Sequence, residues 1–153
     1  CQLSHALGVI VVKCARTPAL ALVLLGKGFH DCDEIIVADA LKLAERFFAA
    51  GEAQQIIQAQ GDAQQRLFYR AWTAKEAYLK GRGVGLSLGL DRFEILFDDG
   101  SPLAHVRMTD SGALDTNWQV QSLSLADDVS GALAVEGQAW QVRMCDSSTD
   151  LFR

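Results

Sequence analysis

Trp72, Glu76 and Lys80 recur every four residues, so a helix brings them onto one face. A carboxylate between a large aromatic ring and an ammonium is either a solvated pair or a site. As an i,i+4 pair on a helix surface it contributes about 0.2–0.5 kcal/mol. Its surroundings favour chemistry. Between Arg66 and Arg82 stand five basic residues, Arg66, Arg70, Lys75, Lys80 and Arg82, and one acidic residue, Glu76, in a chain whose formal net charge is -5. Gly81, Gly83 and Gly85 follow at once, where glycine allows a helix cap, a tight turn or close backbone approach. A basic island ending in a glycine turn suits a phosphorylated small molecule. The lone carboxylate inside it suits the hard cation that accompanies phosphates.

Two other places carry chemical side chains. Ser4-His5 precedes the β-branched run Gly8 to Cys14; the histidine either has a structural backbone partner or offers an N–H to a phosphate oxygen. His30, Asp31, Asp33 and Glu34 lie within five residues, which describes either a metal site or a solvated turn before a helix. Gly26-Lys27-Gly28 lacks the spacing of a phosphate-binding Walker loop.

The elements that must position these residues follow from periodicity. Gly8–Cys14 and Ala19–Leu25 read as buried strands, with a break at Thr17-Pro18. Asp39 to Ala50 reads as an amphipathic helix capped by Asp39, with Leu41, Ala44, Phe47 and Phe48 inward. Gly51 interrupts it, and Glu52 to Gln60 makes a shorter helix. A long helix from Ala63 to Lys80, capped by Asp62 and Gly81, carries the stripe Leu67, Ala71, Ala74 and Tyr78. Phe93–Phe97 and Leu103–Met108 form a hairpin around Asp98-Asp99-Gly100-Ser101. Trp118–Leu125, Gly131–Val135 and Trp140–Met144 are further strands. The sum is an α+β fold, an antiparallel β-sheet packed against a long helix. Residues 1–146 make a single domain, with residues 147–153 as a tail.

Composition narrows the function classes. The 153 residues are half apolar, enough for one core. The longest apolar run is far short of the ~20 residues that span a bilayer. The acidic balance argues against general nucleic-acid binding. The four cysteines are scattered without a CxxC pair, which points away from zinc and toward a reducing, cytoplasmic setting.

The run Trp72-Thr73-Ala74-Lys75-Glu76-Ala77-Tyr78-Leu79-Lys80 with Gly83-Val84-Gly85-Leu86-Ser87 resembles the signature of the 4'-phosphopantetheinyl transferases. The two-lobed class typified by the surfactin-synthetase activator is the nearer likeness. Leu3-Ser4-His5 and Ala44-Glu45-Arg46-Phe47-Phe48 followed by Glu52 are similar to two further segments of that family. The likeness runs from Leu3 to about Phe97. It implies transfer of the phosphopantetheine arm of coenzyme A to a serine of an acyl or peptidyl carrier protein, with magnesium. It further implies that Glu76 is a metal ligand and candidate base, and that Lys80 acts at the pyrophosphate. Ser4, His5 and Lys75 would contact coenzyme A phosphates.

The same resemblance exposes a departure. The strand pair of carboxylates that completes the family's metal site falls on Leu22 and Leu24, and leucine does not ligate magnesium. Asp31 and Asp33 offer the replacement pair. The class also carries a similar lobe upstream, so a homodimer or such a lobe is expected to complete the site. Without those carboxylates the chain is expected to be a catalytically impaired lobe that binds coenzyme A or a carrier protein.

Overall fold

The computed structural model describes residues 20–26, 33–126, 129–137 and 142. The expected Gly8–Cys14 and Trp140–Met144 strands, Ser4, His5, Asp31 and the 147–153 tail fall outside them. The chain divides into two compact units, Pro18–Gln138 and Cys1–Thr17 with Ala139–Arg153. The described helices and strands all belong to the first.

Five described strands form one antiparallel sheet: β1 (Leu20–Gly26), β2 (Phe93–Phe97), β3 (Leu103–Met108), β4 (Trp118–Ala126) and β5 (Val129–Glu136), in spatial order β1-β5-β4-β3-β2. β2 and β3 alternate as a half-buried sheet should. Phe93, Ile95, Ala104 and Val106 are buried, while His105 and Arg107 are exposed. Ile95 stands opposite Val106, and Phe97 opposite Ala104.

Among the described residues three α-helices precede β2: α1 (Asp33–Phe47), α2 (Ala50–Gln58) and α3 (Gly61–Arg82). α3 packs along β5 and β1 and reaches β4. Its Ala71, Ala74 and Ala77 join Ala132 and Ala134 of β5 in one core cluster, and small side chains on both partners allow close approach. Phe68, Tyr78 and Phe93 fill the remaining volume, all at 0% exposure, each worth about 1.5–3 kcal/mol of burial.

The helix boundaries differ from expectation for identifiable reasons. α1 starts at Asp33, so Asp39 is interior and not a cap. Among its described side chains Ala40 and Ala44 are buried, with Phe48 just beyond its end, whereas Leu41 and Phe47 are exposed; Phe47 lies under the Arg46 guanidinium. The break falls at Phe48-Ala49, and Gly51 is inside α2. α3 starts at Gly61 after Gln60, which leaves Asp62 in the first turn, where negative charge complements the macrodipole. Gln64 Nε2 donates to Ile56 O and Ala59 O at 3.1 and 2.8 Å, satisfying carbonyls at the end of α2.

The C-terminal cap is Gly83, not Gly81. Gly83 adopts φ 67°, and its N–H donates to Lys80 O, the left-handed ending glycine favours. Gly81 is helical and buried for another reason: a Cβ there would lie 2.5 Å from Trp118 Cζ3. The indole of β4 occupies the space a side chain would need.

Candidate active site

Trp72, Glu76 and Lys80 share one side of α3; the first two are half-buried and Lys80 is exposed. Glu76 Oε2 lies 3.5 Å from Lys80 Nζ, with side-chain exposures of 19% and 59%. Trp72, one turn earlier, belongs largely to the core. Its ring centroid is 6.1 Å from that of Phe48 and 5.8 Å from that of Phe68. The indole thus anchors this side of α3 on the α1–α2 junction, and the next two members of the i,i+4 row emerge progressively into solvent.

Lys75, expected to contact phosphate, occupies a different environment from Glu76 and Lys80. Its side chain is fully buried. Nζ lies 2.7 Å from Glu52 Oε2 and donates to Leu90 O at 2.7 Å and to Phe93 O at 2.5 Å. An ammonium has three donors, and three protein acceptors take them. The Phe93 and Phe48 rings stand 4.3 and 5.3 Å from it, within cation–π range. Burial pushes the Lys75 pKa down, opposed by the Glu52 carboxylate.

Glu52 is the residue whose role sequence reasoning missed. Its Oε1 accepts Ile95 N–H at 2.7 Å, and its Oε2 accepts Ala49 N–H at 3.3 Å. Ala49 has no side-chain oxygen to return, so α2 opens on the reciprocal half of a capping box. The Ile95 bond occupies a backbone donor of β2, the edge strand of the described sheet, and shields it from further pairing. Burial raises the Glu52 pKa, opposed chiefly by Lys75. The signal available in the sequence was Glu52's place after Arg46-Phe47-Phe48; nothing local announced a partner 23 positions away.

The basic island does not survive as one patch. Arg70 places its guanidinium 3.9 Å from the Phe97 ring centroid and donates to Ser122 Oγ and Ser101 O, which ties α3 to the β2–β3 turn and β4. Arg82 donates to Tyr78 Oη at 2.8 Å, and Tyr78 donates to Asp115 Oδ2 at 2.7 Å. Arg66 and Lys80 are both exposed, but 14 helical residues separate them by about 21 Å.

Among the described side chains no group of three or more histidine, cysteine, aspartate or glutamate residues converges as a metal site. Glu76 supplies one carboxylate at this face, and that alone does not fit magnesium, which takes oxygen ligands in near-octahedral geometry. Leu22 and Leu24 lie on β1, in register with Leu133 and Gly131 of β5. Asp33 is the first residue of α1; its side chain, like residue 31, is outside the described set.

This geometry sits in a chain with clear kin. The family profile of the 4'-phosphopantetheinyl transferase superfamily matches residues 29–137, well over half of the 153 residues. The chain belongs to that superfamily. A candidate 4'-phosphopantetheinyl transferase of Synechocystis sp. is 44% identical over 89 residues, 58% of this chain and 34% of that protein. The 4'-phosphopantetheinyl transferase psf-1 of Bacillus pumilus is 39% identical over 84 residues, 54% of this chain and 35% of its own. The 4'-phosphopantetheinyl transferase HetI of Nostoc sp. is 33% identical over 104 residues, 68% of this chain and 40% of its own. The matched part of the chain thus spans about a third of the length of these curated relatives. No described helix is long and apolar enough to cross a membrane.

Proposed function

We propose that the chain carries the transfer face of a 4'-phosphopantetheinyl transferase, of the two-lobed surfactin-synthetase-activator type, acting on an apo acyl or peptidyl carrier protein. The observation that carries this reading is the Glu76–Lys80 pair on the open side of α3, followed by the left-handed Gly83, in a chain of this superfamily. The carrier serine oxygen bonds to the β-phosphorus of coenzyme A. The bond from that phosphorus to the bridging oxygen breaks, and adenosine 3',5'-bisphosphate leaves. Glu76 accepts the serine proton, which raises the nucleophilicity of the oxygen. Lys80 offsets charge on the pyrophosphate and leaving group. Ser4 and His5 are the proposed contacts to coenzyme A phosphates.

Magnesium belongs to this reading through the family. Glu76, Asp31 and Asp33 would hold it, and when bound it would neutralise phosphate charge. We place the reaction in the cytoplasm, because the four scattered cysteines do not read as a dense disulfide framework. A second copy of the chain or an upstream lobe is the proposed source of further coenzyme A contacts.

The test is intact-protein mass spectrometry of an apo carrier incubated with this protein, coenzyme A and magnesium. The carrier gains the mass of the pantetheine arm. An unchanged carrier with folded protein and excess magnesium rules transfer out. A second reading, a lobe that binds coenzyme A or carrier without turnover, draws support from Leu22 and Leu24 on β1. Calorimetry separates the two: binding without any mass gain selects the second.

A further inference from the structure

The Lys75 ammonium joins two points of the chain that bracket the proposed site. It leaves α3 beside Glu76 and reaches Leu90 O, fifteen residues on, and Phe93 O, eighteen residues on. The segment between, 76–89, contains Glu76, Lys80 and Gly83. Both ends of that segment therefore meet at one ammonium, which Glu52 holds from α2.

The far side of the segment has weak internal support. Residues Gly85–Leu88 and Leu90–Arg92 form short 3-10 turns, whose hydrogen bonds are poorer than those of an α-helix. Gly89 lies between them at φ 79°. A directional, charge-assisted bond to Leu90 O supplies what these turns lack. Without it, the Leu90 and Phe93 carbonyls lose a buried donor, and the segment gains by moving them toward water.

We propose that Lys75, locked by Glu52, is the positioning residue of the Glu76–Lys80 site: by closing the 76–89 segment it fixes the glycine turn relative to both side chains and sets the affinity for a pyrophosphate-bearing ligand. The affinity part rests on the proposed transferase function; the closure does not.

The paired variant Glu52→Gln/Lys75→Met tests it. The amide introduced by Glu52→Gln keeps an acceptor for Ile95 N–H, and no buried charge is left alone. Circular dichroism checks that the variant melts cooperatively. Hydrogen exchange over 84–90 is then expected to accelerate about tenfold or more, with β4 and β5 amides unchanged. Coenzyme A binding by calorimetry is expected to weaken by about tenfold or more, the factor carried by about 1.4 kcal/mol of lost interaction. Unchanged exchange over 84–90 in the folded variant overturns the proposal. If the wild type binds coenzyme A and the folded variant binds it equally, positioning is overturned while the transferase reading stands. If the wild type does not bind it, the transferase reading falls and the exchange result still decides closure. Should the variant not fold, native-state exchange of the wild type decides. Amides of 84–90 opening together with those of 75–80 in graded denaturant support closure. Opening of 84–90 while 75–80 stay protected overturns it.

Discussion

Glu52 Oε2 and Lys75 Nζ lie 2.7 Å apart, with side-chain exposures of 8% and 0%, and together they join α2, α3 and the edge strand β2. Breaking such a pair from one side leaves a buried charge uncompensated, which costs about 3–5 kcal/mol. Lys75→Met alone and Glu52→Leu alone are each expected to lose that much in urea denaturation. The double substitution is expected to lose much less than the sum, because neither charge remains. Additive losses across this cycle contradict the pairing.

Gly81 and Trp118 make a second test. Alanine in a helix is favoured over glycine by about 1 kcal/mol. Here a Cβ would sit 2.5 Å from the indole, and overpacking a close-packed core costs about 1–3 kcal/mol. Gly81→Ala is therefore expected to lower the melting temperature. A rise would show that the indole moves freely out of the way.

Tyr78 provides a pH signature. Burial pushes its phenol up from 10.0 to about 12, reinforced by the bond to Asp115 and opposed by Arg82. Above pH 10 the unfolded chain loses this proton before the folded one does, so the unfolded state binds fewer protons and stability falls as pH rises toward 12. Tyr78→Phe removes that component, worth about 3 kcal/mol at most. Denaturation at pH 9 and pH 11 is expected to show a smaller decline for the variant than for the wild type. Equal declines would place the phenol in water.

Much of the fold was legible because its signals are local. The alternation in Phe93–Phe97 and Leu103–Met108 and the turn residues between them give β2 and β3 as observed. The Leu67-Ala71-Ala74-Tyr78 stripe gives the inner side of α3, and Trp72, Glu76 and Lys80 do share a face. What escaped depends on distant partners. Gly81 looks like a cap until Trp118, 37 positions on, fills the space beside it. Lys75 looks like a phosphate ligand because basic residues near glycines usually face solvent; acceptors on Glu52, Leu90 and Phe93 turn it inward. Arg70 reads as part of a charged surface until Phe97 and Ser122 claim its guanidinium.

Glu76 separates chemistry from architecture. Its contact with Lys80 is a partly exposed i,i+4 pair, worth no more than about 0.5 kcal/mol. Glu76→Gln is thus expected to melt within a degree or two of the wild type. The most direct measurement compares the two proteins by intact mass of an apo carrier over time, with coenzyme A and excess magnesium. The wild type is expected to add the pantetheine arm, and Glu76→Gln to slow that transfer by about 100-fold or more, as loss of a general base does. An equal rate from the two folded proteins would contradict it.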